Sequence, residues 1–191
     1  MRRPLGLLFA LLLVAGCASG GPEAAPPSQS LVAVALTMDP CPSPSAPAGA
    51  GDVLPELSFP CLVGDQDLTL GVAPGVPTVL NLWAPWCAPC RAELPLFDRL
   101  HVEARDDVSV VGLVEKDTLQ SSLTFAAETR LSFPSALDQT GKLLYDQGLN
   151  GLPATFFLRA DGSIAHRQIG PIASYDELRA LVAEHLEVAV P

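Results

Sequence analysis

The sequence predicts an α/β fold, a three-layer sandwich in which a mixed central sheet is flanked by helices, behind an N-terminal extension. Three stretches carry that expectation. The apolar run Thr78–Trp83 leads into residues 90–104, where Leu94, Phe97 and Leu100 fall at helical spacing, and residues 108–114 are again β-branched and apolar. A strand–helix–strand unit of this kind is right-handed and makes its two strands parallel. Residues 155–159 and Ile164–Ile169 flank Ala160-Asp161-Gly162-Ser163, whose Asp-Gly centre favours a hairpin and so an antiparallel pair. Ser174-Tyr175-Asp176-Glu177 has the spacing of a capping box, and Leu178, Leu181, Val182 and Leu186 give the helix after it one apolar side.

The remaining segments fit between these landmarks. Asp67-Leu68-Thr69-Leu70 is short and β-prone, and residues 71–77 form a turn-rich break. Asp117-x-x-Gln120 is expected to cap a helix with Leu119, Leu123, Ala126 and Ala127 on one stripe. Phe133-Pro134-Ser135-Ala136-Leu137 and Leu143-Leu144-Tyr145 form a connection with no readable period. The expected order is therefore β-α-β-α-insert-β-β-α. Reactive groups of open sheets lie beyond the carboxyl ends of the parallel strands, and Cys87 falls at that place after residue 83.

The first residues are not fold. Arg2 and Arg3 precede an apolar stretch, residues 5–15, of secretory-signal length and too short to span a bilayer, which takes about 20 apolar residues. Leu13-Val14-Ala15-Gly16-Cys17 resembles the lipobox of bacterial lipoproteins, which implies a signal peptide over 1–16 and lipidation of Cys17. Two acyl chains there would give stable attachment to the outer face of a cell membrane. Residues 17–50, rich in Pro, Ala, Ser and Gly, read as a tether, interrupted by the apolar run 31–36, and the folded domain is expected over 51–191. Of 11 basic residues, Arg2 and Arg3 lie before Cys17, so the chain beyond it carries 9 against 21 acids, a net charge of −12. Such a surface repels phosphate backbones and excludes nucleic acid as a partner.

Export places the chain in an oxidising compartment. With Cys17 assigned to lipid, Cys41, Cys61, Cys87 and Cys90 remain. The two-residue spacing in Trp86-Cys87-Ala88-Pro89-Cys90 is of the redox-active type, which leaves Cys41 and Cys61 for a structural disulfide across Pro-rich chain, for free thiols, or for pairing with other proteins. No metal site is expected: Cys87 and Cys90 lack two further ligands at close spacing, and His101, His166 and His185 are scattered and read as surface or packing residues.

The chemistry of the pair follows from its place. A cysteine at a helix N-terminus faces unpaired N–H groups and the positive end of the dipole, which favours the thiolate. Cys87 would attack a partner disulfide, and Cys90, one turn on, would resolve the mixed disulfide. Pro89 fits the first helical turn, where its missing N–H costs little. Trp86 offers an apolar rim to a docking polypeptide.

Asn81-Leu82-Trp83-Ala84-Pro85-Trp86-Cys87-Ala88-Pro89-Cys90-Arg91-Ala92-Glu93-Leu94-Pro95 resembles the active-site segment of the TlpA/ResA-like branch of the thioredoxin superfamily, and Gly151-Leu152-Pro153-Ala154-Thr155-Phe156 resembles its second motif. The likeness covers roughly residues 52–188. It implies a thioredoxin-like fold and an exported, membrane-tethered thiol–disulfide oxidoreductase that needs no cofactor. Its partners would be thiols and disulfides of exported proteins, with cytochrome c maturation a recurrent assignment, and a membrane electron donor or acceptor; the chain itself is expected to be a monomer. It also implies that Pro153 is cis, that Leu152 offers its backbone to substrate, and that Glu93 exchanges protons with the thiols. Asn81 stands where thioredoxin itself has a buried acid, and this branch carries Asn there. Two other readings stay open beside reduction: an oxidant that introduces disulfides, and a copper-delivery protein, disfavoured because those relatives space their cysteines by three residues. A peroxidase is excluded by Ala84, where a Thr or Ser would be required.

Overall fold

The structure is a computed structural model that describes residues 38–43 and 46–191. The expected signal peptide 1–16, the lipidation residue Cys17 and the apolar run 31–36 lie outside the described residues. In chain order the elements are β1 (Ala46–Pro47), β2 (Ser58–Pro60), β3 (Asp67–Thr69), β4 (Val72–Ala73), β5 (Thr78–Trp83), α1 (Ala88–Glu103), β6 (Ser109–Glu115), α2 (Leu119–Thr129), β7 (Ser135–Asp138), α3 (Lys142–Asp146), β8 (Ala154–Leu158), β9 (Ile164–Ile169) and α4 (Tyr175–Leu186).

Five strands make one mixed sheet in the order β7-β6-β5-β8-β9. The parallel pairs are β5 with β6 and β6 with β7; β8 runs antiparallel to both β5 and β9. Every residue of β5 is buried, as a strand covered on both faces requires. Alternation sends Val79 and Trp83 to one face, with Phe97 and Leu100 of α1, Leu178 and Val182 of α4, and Ala126 of α2. Leu80 and Leu82 go to the other, with Leu113, Phe156, Leu143 of α3 and Leu68 of the β2–β3 ribbon. The sandwich is thus helical on one side and part helix, part ribbon on the other.

The capping box closes as expected: the Ser174 hydroxyl accepts the Glu177 N–H at 3.2 Å and the Glu177 carboxylate accepts the Ala173 N–H at 2.8 Å. The second helix starts one residue later than the sequence suggests. Thr118 is its cap, accepting the Ser121 N–H at 3.2 Å, while Asp117 accepts the Ser122 hydroxyl at 2.8 Å, and Leu119 is exposed rather than part of the buried stripe. The unreadable connection contains β7 and α3. All four residues of β7 are buried, so no alternation marks it. Five-residue α3 is too short for a period and is set by Asp138, whose carboxylate accepts the N–H groups of Thr140, Gly141 and Leu143 at 3.1, 2.9 and 2.9 Å.

Packed chain begins upstream of the expected boundary at 51. Met38 and Cys41 are buried, and the Asp39 N–H donates to Ser132 O at 2.9 Å. The Asp39 carboxylate meets His101 Nε2 at 3.0 Å and the Arg105 guanidinium at 3.1 Å. Cys41 is bonded to Cys61, with Cα atoms 6.2 Å apart, and Gln66 donates its side-chain amide to Cys41 O. Cys61 bridges to Ala136 and the Leu62 N–H donates to Ser135 O, so this segment covers the free edge of β7. Composition pointed to a tether because these residues have no hydrophobic period; two buried side chains, a covalent link and backbone bonds hold them instead. His166 and His185 pack between β9 and α4 as stacked rings 4.0 Å apart.

Replacing Cys41 and Cys61 together by Ser is expected to lower the unfolding free energy by about 3 kcal/mol, the loop-closure contribution for a span of this length, as a reduced urea midpoint with disulfide-exchange activity retained.

Candidate active site

The chain leaves β5 at Trp83 and turns at once. The Cys87 N–H donates to Ala84 O at 3.1 Å, and Cys87 takes extended dihedrals (φ −85°, ψ 102°) as the residue that caps α1. Its Sγ accepts the Cys90 N–H at 3.2 Å, so a sulfur satisfies one of the open donors of the helix start. Pro89 lies in that first turn without loss of a helical bond. Cys87 and Cys90 form a disulfide with Cα atoms 5.3 Å apart. Cys87 keeps 5% of its surface and Cys90 none, so of the two cysteines only the first reaches the surface.

Two segments border the pair. Trp86 is 57% exposed, and its indole N–H donates to Lys116 O at 3.2 Å. Lys116 presents that carbonyl from a left-handed turn (φ 53°) fixed by its own N–H on Asp138 O at 2.8 Å. On the other side the Leu152–Pro153 bond is cis. Leu82 pairs with Ala154, which puts Pro153 beside the end of β5 and so at the Cys87 end of the sheet. Leu152 is half-buried and packs against both halves of the core. Cys41 and Cys61 lie apart from this end, on the β7 side.

Two carboxyl groups sit beneath the site. Glu93 is 1% exposed, not a solvated helix residue: Oε1 accepts the Asn81 amide at 2.9 Å and Oε2 accepts the Ile172 N–H at 2.8 Å. Asn81 also donates to Thr155 Oγ1 at 3.1 Å. Burial pushes the Glu93 carboxyl above the usual range, and the bonds from Ile172 and Asn81 pull it part of the way back. Glu115 was not legible as a site residue, because the end of an apolar strand carries no motif. It is fully buried, and as a carboxylate neither oxygen has a donor. Burial first, then the Asp138 charge beside it, pushes Glu115 up to about 8. In its acid form it can donate to Asp138, its register partner on β7.

A surface-reaching cysteine capping a helix, a second cysteine behind it and a cis proline at the same end of a mixed sheet define a thioredoxin-like thiol–disulfide oxidoreductase. Residues 49–181 match the Redoxin family, and the chain belongs to it. The thiol:disulfide interchange protein DsbE of Pseudomonas fluorescens biotype C is 33% identical over 160 residues, covering 82% of this chain and 87% of that protein. A DsbE homolog of Paracoccus denitrificans is 34% identical, covering 78% and 81%. Among solved structures, a secreted Mycobacterium tuberculosis disulfide oxidoreductase homologous to Escherichia coli DsbE superposes with a TM-score of 0.59 at 27% identity, covering 68% of this chain and 96% of that one. The activity class is therefore thiol–disulfide exchange. The TlpA/ResA-like resemblance and the three-layer fold agree with these relatives.

Glu115 makes stability pH-dependent. Its folded pKa of about 8 exceeds the ordinary 4.5, so the folded chain holds a proton that the unfolded chain releases between those values. Stability should fall with rising pH across that window, with a slope of at most about 1.4 kcal/mol per pH unit. Urea unfolding of Glu115→Gln at several pH values should show that slope removed.

Proposed function

We propose that this protein is a lipid-anchored oxidoreductase on the outer face of the cell membrane that reduces disulfides of exported proteins. The observation that carries the reading is the unequal access of two bonded cysteines at the start of α1. In the reduced form Cys87 acts as a thiolate, supported by the Cys90 N–H and the helix dipole. It attacks one sulfur of the client disulfide, forms a mixed disulfide, and the other client sulfur leaves and takes a proton. Cys90 then loses its proton and attacks Cys87. The second client sulfur leaves, and Cys87–Cys90 is restored. Two electrons have passed to the client, whose two thiols take one proton from Cys90 and one from solvent, and a membrane electron donor must reduce the pair again.

Glu93 is the proton acceptor for Cys90 in this reading, held by Asn81, which as an amide cannot fill that role. Pro153 and the Leu152 backbone border the client segment, with Trp86 as the apolar rim opposite. Lipidation of Cys17 supplies the anchor. The likeness to DsbE proteins supports an extracytoplasmic thiol–disulfide role, and the TlpA/ResA-like motifs extend the client list to apocytochrome c.

Cys90→Ser should accumulate a mixed disulfide on Cys87, recoverable by non-reducing electrophoresis and reversible with dithiothreitol, whereas Cys87→Ser should capture nothing. Glu93→Gln should leave the Cys87 attack intact but slow its resolution by about 10²-fold, visible as a longer-lived mixed disulfide. Equilibration with glutathione fixes direction: a potential near −120 mV would overturn the reductive reading.

A further inference from the structure

The distribution of cations points to the kind of client that docks. Among the nine Lys and Arg of the described residues, Arg99, Arg105, Arg167 and Arg179 lie within 4 Å of a carboxylate. Arg159 is turned onto Ser163 Oγ and Ile164 O. Arg91, Lys116, Lys142 and Arg130 have no ion pair among the described residues. Three of these four stand at the Cys87 end, and all three are exposed. Arg91 is one helical turn from Cys87, its N–H on Cys87 O at 3.1 Å. Lys116 holds the Trp86 indole through its carbonyl, and its side chain lies across Gly141, the cap of α3. Lys142 is the first residue of that helix. Arg130 caps the C-terminal end of α2, next to Thr129, which lines one pocket with Arg91.

The acids at this end are turned inward or engaged. Glu93 and Glu115 are buried, Asp138 is spent on α3, and Asp117 accepts from Ser122. Asp146, at the end of α3, and Glu128, in the last turn of α2, are exposed. A chain with 21 acids against 11 bases thus keeps a cationic rim around its reactive sulfur. Its long-range field repels an acidic partner, but that field is screened beyond about 8 Å at physiological ionic strength, so contacts at the rim decide.

We infer that Arg91, Lys116 and Lys142 select a client segment with carboxylates beside its disulfide. This rests on the oxidoreductase reading above and names its substrate class. Attraction of this kind raises association rates and weakens with salt.

The test uses three synthetic peptides of equal length, each closed by one disulfide flanked by Glu, Gln or Lys. With the reduced full-length protein, the second-order rate constant of single-turnover reduction should fall in the order Glu, Gln, Lys, spanning about tenfold at ~50 mM salt and collapsing at ~500 mM. Arg91→Glu with Lys142→Glu should invert the order, and Arg91→Gln alone should narrow it should the double variant misfold. Arg105→Glu, beyond the C-terminal end of α1, should leave the order unchanged. Equal rates for all three peptides, or a preference for Lys in the parent protein, would overturn the inference while leaving the oxidoreductase reading standing. Failure to reduce any of the three would instead count against that reading.

Discussion

The contact on which the site depends is the one between the Cys87 sulfur and the Cys90 N–H at the first turn of α1. A helix start leaves N–H groups without partners, and the usual remedy is an oxygen from Ser, Thr, Asp or Asn. Here a sulfur takes that place. The same donor and dipole that stabilise the helix therefore also stabilise negative charge on the sulfur, so structure and reactivity share one interaction. It needs a fixed junction, which β5 provides. Six buried residues hold the strand between β6 and β8, and the Cys87 N–H on Ala84 O ties the turn back to its end.

Burial of acids completes the electrostatic design. A carboxylate close to a thiolate would oppose it, yet two carboxyl groups lie beneath this end of the sheet. Both are desolvated, and desolvation favours their neutral forms. Glu93 is moderated by donors from Asn81 and Ile172, which leaves it able to change charge. Glu115 has no such donors and faces Asp138, whose own charge is stabilised by α3. One acid is held by two donors, and the other, without them, keeps its proton through neutral pH. The surface above them is left to cations and to Trp86.

What the sequence made legible was whatever repeats or has fixed spacing. The two parallel strands, α1, the hairpin of β8 and β9, and the capping box of α4 each follow a period or a turn rule. The Cys87–Cys90 pair and the Pro153 segment were legible as motifs. The ordered N-terminal segment was not, because Met38 and Cys41 are isolated anchors in Pro-rich chain. The β7–α3 region escaped because it is buried on both faces and capped by an acid ahead of a glycine. Glu115 and Lys116 were invisible for a third reason: their importance comes from the register with Asp138 and from a left-handed turn, and neither leaves a mark in local composition.

The ordered N-terminal segment also bears on orientation. Met38 and Asp39 join the fold at the C-terminal end of α1, on Ser132, His101 and Arg105, while Cys87 caps its N-terminal end. A helix of 16 residues separates these points by about 24 Å. The described chain therefore enters the domain at the end opposite the reactive sulfur. The disulfide from Cys41 to Cys61 ties that entry to the edge of the central sheet rather than to a loop near the site. The covalent staple at one end and the redox disulfide at the other thus serve separate tasks within a single sheet, and reduction of the second need not disturb the first.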